Sequence, residues 1–336
     1  MKMKGLLLLC FLGWSVYTLS GDGEKIISFP DVNRPSRFAV DGDRLFINEQ
    51  FTISVYSLAD NRLIKKFGSQ GEGPREFKFS AIMYLIPGGL AVISYCKISY
   101  YTRDGEYIEE KRAPIDFYPG AKILTKDLFV SLKNYVELRK SLWILNAEFN
   151  PIIEVYEEKT EHKLGEVMGN LWIFIADGNR IFSVKDNEFQ VGIYDTGGKE
   201  VGSISREYER LKFTPEYKEE YFKSIKAQIP TGNSDFYQRI EKYSIFPECL
   251  PAIRTFFISG NKLYIGTFGR ENGKSEVFVY STNGEFLERI LLPLTPMYDG
   301  YMFNYPFTIK DGKLYQLIEN GTTGNWELHI SEFKPK

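Results

Sequence analysis

An all-β chain built from six repeated four-stranded units is what this sequence predicts, and two recurring patterns with their spacing carry the prediction. The first is a turn followed by an aliphatic and usually an aromatic residue: GDRLFI at 42–47, GGLAVI at 88–93, TKDLFV at 125–130, GNRIFSV at 178–184, GNKLYI at 260–265 and GKLYQL at 312–317. The second is a β-rich run, a turn of the Asp-Gly or Asn-Gly kind and another run, at 54–64, 99–108, 143–153, 192–201 and 277–287. That order is the signature of a hairpin. Aligned on Tyr56, Tyr101, Leu145, Tyr194 and Tyr280, successive hairpins lie 45, 44, 49 and 86 residues apart. A period near 45 with four short strands per unit matches the blades of a β-propeller, where each sheet buries its faces against its neighbours and ring closure protects the edges. Setting aside the excess in the long interval leaves six units, so the expected fold is a six-bladed β-propeller with an insertion between blades four and five.

The elements follow in chain order. The opening MKMKGLLLLCFLGWSVYTLSG carries Lys2 and Lys4, an apolar stretch from Gly5 to Tyr17, and small residues at Thr18 and Ser20, which is a secretory signal pattern. Its apolar run is short of the roughly 18 to 20 residues that span a bilayer. No second long apolar run follows, so no membrane span is expected in the mature chain. Residues 1–20 are expected to be removed, leaving 21–336 as one extracytoplasmic domain, periplasmic or secreted. Cys10 invites a lipoprotein reading, but Leu7, Leu8 and Leu9 precede it where a small residue is needed, and apolar sequence continues past it. At the other end, the last unit offers only three strands, within 306–309, 313–318 and 326–333, and would leave an exposed edge. EKIISF at 24–29 is a spare strand, expected to complete the sixth blade by pairing with 326–333.

The long interval, 206–252, changes character from alternating strands to a helical pattern. Thr214 is placed to cap a helix with Pro215 at its first position, and Tyr217, Tyr221 and Ile225 recur every four residues along one face. Lys218, Glu219, Lys223 and Lys226 occupy the other faces. Phe236, Ile240 and Tyr243 mark a shorter second helix after the turn from Pro230 to Asn233. Because the repeat resumes afterwards, this is an inserted helical pair, expected to pack on the channel-mouth face.

The segment FGSQGEGPREFKFSAIMYLIPGGLAVISYCKISYYTRDGEYI, residues 67–108, resembles an NHL-type repeat, and QGEGPREF at 70–77 resembles the linker of the secreted bacterial six-bladed β-propeller family with NHL-like repeats. The resemblance implies the same ring over the whole mature chain. The later linkers lack the Gly-Glu-Gly-Pro run, so the sharp motif occurs once. Read from its residues, the linker is structural: Gly71 and Gly73 supply backbone freedom, Pro74 fixes one φ, and Phe77 plugs the space between blades. The alternative is direct ligand contact by Glu72, Arg75 or Glu76. A propeller fold alone does not fix a function.

Chemistry is sparse. Lys and Arg number 42 against 44 for Asp and Glu, so no overall field draws the chain to nucleic acid. Two histidines, His162 and His329, and three cysteines are too few for a usual His/Cys metal site or a disulfide scaffold. Cys96 and Cys249 lie far apart in sequence and are expected to be independent thiols. No GxSxG, P-loop or HExxH motif occurs. With the strand order the resemblance implies, the residues entering the first strands include Ser80 and the candidate ligand-binding set Arg37, Asp116, Trp172, Arg254 and Tyr305. Two guanidiniums, a carboxylate and two aromatics suit a carbohydrate or an acidic peptide group. The bland alternative is that Arg37, Asp116 and Arg254 pair across the channel and hold blades together.

The expected function is therefore a non-enzymatic scaffold binding a polar ligand, glycan or peptide, or an envelope protein at the channel mouth, with no catalytic residue and no cofactor. A second reading comes from the six-bladed lactonases, which this fold resembles and which use calcium held by Asn, Asp and Glu. It would make the chain a calcium-dependent hydrolase or lyase, with Asn48, Glu49, Asp116 and Asp177 as available oxygen ligands. Sensitivity to chelation separates the two.

Overall fold

The structure, a computed structural model, describes residues 24–114, 121–125, 127–134, 139–159, 166–167, 173–185, 187–228, 234–297 and 303–332. Six antiparallel sheets of four strands are arranged as blades. The chain enters through β1 (Lys25–Phe29) and then lays down blade one as β2 (Pro35–Asp41), β3 (Arg44–Glu49), β4 (Thr52–Ser57) and β5 (Leu63–Phe67). Blade two is β6 (Ile82–Ile86), β7 (Gly89–Ser94), β8 (Lys97–Thr102) and β9 (Tyr107–Arg112). Blade three is β10 (Lys122–Ile123), β11 (Phe129–Asn134), β12 (Arg139–Leu145) and β13 (Pro151–Lys159). Blade four is β14 (Phe174–Asp177), β15 (Arg180–Val184), β16 (Gln190–Asp195) and β17 (Glu200–Ser205). Two helices follow, α1 (Pro215–Gln228) and α2 (Ser234–Tyr243). Blade five is β18 (Thr255–Ser259), β19 (Lys262–Glu271), β20 (Lys274–Ser281) and β21 (Phe286–Leu292). Blade six is β22 (Phe307–Lys310), β23 (Lys313–Glu319) and β24 (Trp326–Glu332), completed by β1.

Both recurring patterns fall where the repeat places them. The turn-aliphatic element leads into the second strand of each blade, and the hairpin element is the third and fourth strands. The expected closure is present: β1 pairs antiparallel with β24 from Lys25 opposite Ile330 to Phe29 opposite Trp326. The two ends of the chain are thus joined in one sheet, which covers the edge that β24 would otherwise present.

The apolar core is divided among the blade interfaces. Ile27, Phe29 and Leu328 of blade six pack with Val40, Leu45 and Tyr56 of blade one. Phe77, with no exposed surface, sits among Phe46, Ile53 and Val55 of blade one and Met83, Leu90 and Tyr101 of blade two. This is the inter-blade plug expected of the Gly-Pro linker. Its approach dictates the glycine at 68, whose φ is +89° and where a Cβ would lie 2.5 Å from the Phe77 ring. The charged linker residues are all engaged: Glu76 accepts from Gly73 N at 2.8 Å, Glu72 pairs with Lys78 at 2.8 Å, and the Arg75 guanidinium lies 5.5 Å from the Tyr107 ring centroid. These contacts assign the linker its structural role.

Helix α1 rests on blade five and on the segment leading into blade six, and α2 packs against α1. Tyr217 and Tyr221 of α1 pack with Phe213 and Phe303 around buried Leu250 and Phe268. The buried face also takes in Glu220 and Ser224, while Lys218, Glu219, Lys223 and Lys226 are exposed as expected. Phe222 turns to Phe246 and to Tyr237 of α2. Cys96 and Cys249 are separate half-buried thiols. His162 lies outside the described residues. His329 sits at the β1–β24 seam, 3.1 Å from Glu24 and 3.4 Å from Glu327. Asn320, in the sequence Asn-Gly-Thr, accepts from Thr322 N and donates to Glu327 at 2.9 Å, closing its own turn.

Candidate functional site

The first strands of blades one, two, four, five and six line one central space, with β10 packed beside β14, and α1 and α2 precede the entry to β18. That end of the channel holds a cavity of about 570 Å³ walled by blades five, six and one, within the usual range for small-ligand sites. Three of the five residues singled out from sequence meet there: Arg37, Arg254 and Tyr305. Asp116 and Trp172 lie outside the described residues.

Arg254 is set by its backbone, whose N–H donates to Gly266 O at 2.8 Å and extends β18 by one residue. Its guanidinium lies 5.5 Å from the Phe268 ring centroid. It makes no ion pair or side-chain hydrogen bond among the described residues. Burial lowers its pKa to about 10, and the neighbouring Arg270 guanidinium acts in the same direction. Glu220 and Tyr217 of α1 oppose this from beyond ion-pair distance. Arg270 itself is occupied, donating to Asn304 Oδ1 and Gly273 O at 3.1 Å each. The carboxylate in the cavity wall is also spoken for: Glu276 accepts from Arg289 at 2.7 Å, Thr267 at 2.8 Å and Tyr208 at 3.2 Å. Nothing described therefore neutralises Arg254 by contact.

Arg37, opposite Asn48 in the β2–β3 ladder, stands at the exposed side of the same cavity. It too has no ion pair or side-chain hydrogen bond among the described residues. The expected pairing of Arg37 and Arg254 across the channel runs through Asp116, which lies outside the described residues. Tyr305 lines the cavity edge-on to Trp326, with ring centroids 5.9 Å apart. Phe303, also in the wall, is held from outside by α1, since its N–H donates to Glu220 Oε1 at 3.1 Å. The insertion thus supports one side of the mouth.

Sequence reading passed over Lys122. It was missed because the first strand of blade three was started at Asp116, whereas pairing back from the TKDLFV turn brings Lys122 opposite Val130. Pro114, Pro119 and Gly120 interrupt any alternation that would have shown this. The Lys122 ammonium donates to the Tyr84 hydroxyl at 3.3 Å and lies 5.3 Å from the Tyr84 ring and 5.8 Å from the Phe174 ring. Burial, and then the charge of Arg37, lowers its pKa to about 8.

Of the oxygen ligands considered for calcium, Asn48 and Glu49 are employed elsewhere, and Asp116 lies outside the described residues. Glu49 accepts from Asn33 N at 2.6 Å and pairs with Lys66 at 2.9 Å, and the Asn48 amide, oriented to satisfy both its ends, donates to Ala81 O at 2.7 Å. Asp177 lies at the other end of β14, lining a separate cavity of about 500 Å³, where burial raises its pKa. Among the described residues no three His, Cys, Asp or Glu side chains are grouped to hold a metal ion.

Fold and site together define a six-bladed β-propeller whose channel mouth carries two arginines with no ion pair among the described residues. No family model matches the chain, and no curated protein does. Solved structures do match. A member of the DUF4221 family from Bacteroides vulgatus aligns with TM-score 0.52 at 10% identity, over 94% of this chain and 98% of that one. The WD40 domain of Neurospora crassa Pan2 aligns with TM-score 0.45 at 10% identity, over 93% and 95%. At such identity the first likeness shows the fold alone.

Proposed function

We propose that this chain is an extracytoplasmic, non-enzymatic binding scaffold whose channel mouth receives the acidic group of a polar ligand, glycan or peptide, or of an envelope protein. Export rests on the opening sequence, with its two lysines, short apolar run and small residues before Gly21, and residues 1–20 are removed. Among the described residues no helix is long and apolar enough to cross a membrane. The Gly-Glu-Gly-Pro linker supports an NHL-like origin for the blades.

One observation carries the binding function. A buried guanidinium left without a contacting anion costs free energy that an apolar residue at the same place would not, so its retention favours a use outside the fold. Arg254, half-buried and without a contacting anion among the described residues, carries part of this cost, and it faces a cavity that Arg37 shares. The arginines meet the acidic group, while Tyr305 and Phe268 offer flat apolar faces to the rest of the ligand.

The test uses D-glucuronate and the peptide Glu-Glu-Glu as probes in calorimetric titrations of the mature chain. Arg37→Ala and Arg254→Ala are each expected to weaken binding by about 1 to 3 kcal/mol, the range for charge-assisted hydrogen bonds. If both variants bind the probes as the parent does but melt lower, the arginines belong to the fold and the site lies elsewhere.

A further inference from the structure

Three cations stand on the innermost strands of alternate blades: Arg37 on β2 of blade one, Lys122 on β10 of blade three, and Arg254 at the entry to β18 of blade five. None makes an ion pair among the described residues. Elsewhere in the ring cations are routinely matched, as in Lys97 with Glu110 at 3.1 Å, Arg44 with Asp104 at 2.7 Å and Arg289 with Glu276 at 2.7 Å. The channel departs from this pattern on three blades at once. Arg37 and Arg254 share one cavity, and Lys122 reaches Tyr84 of β6 and Phe174 of β14, on the first strands of the blades either side of its own.

Their heights differ. Lys122 opposes Val130 in blade three as Phe38 opposes Ile47 in blade one, which puts it one residue deeper along the channel than Arg37. Arg254 lies one residue nearer the mouth than Thr255, the blade-five counterpart of Arg37. A single negative group at the mouth would offset Arg254 and Arg37 and leave Lys122 unmatched. A second group, carried deeper on the same frame, would match it. The cavity of about 570 Å³ at the mouth suits a small molecule, and Lys122 stands outside its lining, further along the channel. The rings of Tyr84 and Phe174 beside Lys122 and of Phe268 beside Arg254 give apolar faces between the charges.

We propose that the channel takes a compact small molecule bearing at least two anionic groups, one received at the mouth by Arg254 and Arg37 and another by Lys122 deeper in the channel. This rests on the reading of the mouth as a site for acidic groups, and extends it to the valence of the ligand and to a third blade.

The experiment is a calorimetric titration of the mature chain with acetate, succinate and citrate at one ionic strength, held with sodium chloride. Affinity is expected to rise at least tenfold from acetate to citrate. Lys122→Met is expected to lower citrate affinity at least tenfold and acetate affinity far less, and to melt no lower than the parent, since it removes a charge that has no ion pair among the described residues. Lys122→Arg keeps the charge and is expected to retain most of the citrate affinity, which keeps the test valid if the methionine variant folds poorly. Citrate binding no tighter than acetate, or citrate binding undiminished in a folded Lys122→Met, overturns the polyanion proposal and leaves the mouth reading standing. Absence of binding by all three carboxylates overturns both.

Discussion

Deleting residues 21–30 should lower the melting temperature by roughly 10 °C or more, because it removes two buried side chains, each worth about 2 to 5 kcal/mol, from a domain in which each kcal/mol moves the melt by a few degrees. The two side chains are Ile27 and Phe29, only 5% and 3% exposed, and they pack against blade one as well as their own blade. The deletion also unpairs β24 along the whole of its contact with β1 and leaves a free edge in the ring. Differential scanning calorimetry of the truncated and full mature chains makes the comparison. An unchanged melt would mean that β1 is a passive tail and that the ring is closed by other means.

Exchanging 212–248 for a short Gly/Ser linker should leave a folded six-bladed ring with an altered mouth. The ends of the exchange are already joined, since Leu250 N donates to Leu211 O at 2.8 Å, so little closure entropy is at stake. Tyr208 must stay, because its hydroxyl holds Glu276 and its ring packs near Phe189 and Phe278. What is lost is the cover on Phe268 and the Glu220 carboxylate that anchors Phe303 in the cavity wall. Binding of the glucuronate and peptide probes is therefore expected to change by about tenfold or more, the scale of one lost charged hydrogen bond. Far-ultraviolet circular dichroism should lose its helical part and keep its β part. Collapse of the whole fold would show that the helices belong to the core and are not accessory.

What the sequence made legible was whatever is written locally. Asp-Gly and Asn-Gly turns, strand alternation and the helix start at Thr214 and Pro215 each depend on a few adjacent residues, and β1 could be assigned because an odd strand at one end matched a missing strand at the other. Phe77 was legible for the same reason, since its linker is one continuous motif. The site was only half legible. Arg37, Arg254 and Tyr305 were reached by counting blades, but Lys122 was hidden by an irregular approach to β10. Glu276 was also invisible as a wall residue, because its neutralisation by Arg289 is a contact between β20 and β21 that alternation alone does not specify. On α1 the apolar stripe through Tyr217 and Tyr221 was read correctly, yet the most buried residues of that face include Glu220 and Ser224, whose polarity disguised them.

The central claim is that Arg254 is kept charged for a ligand and not for the fold, and the unfolding free energy of Arg254→Met measures this without knowledge of the ligand. Methionine keeps an unbranched apolar chain beside Phe268 and deletes the half-buried charge. Urea unfolding of the ligand-free variant is expected to give a stability within about 1 kcal/mol of the parent, or above it, as when a half-buried charge with no ion pair among the described residues is exchanged for an apolar group. A loss of about 3 to 5 kcal/mol, the cost of breaking one partner out of a buried ion pair, would contradict the account and make Arg254 a structural residue.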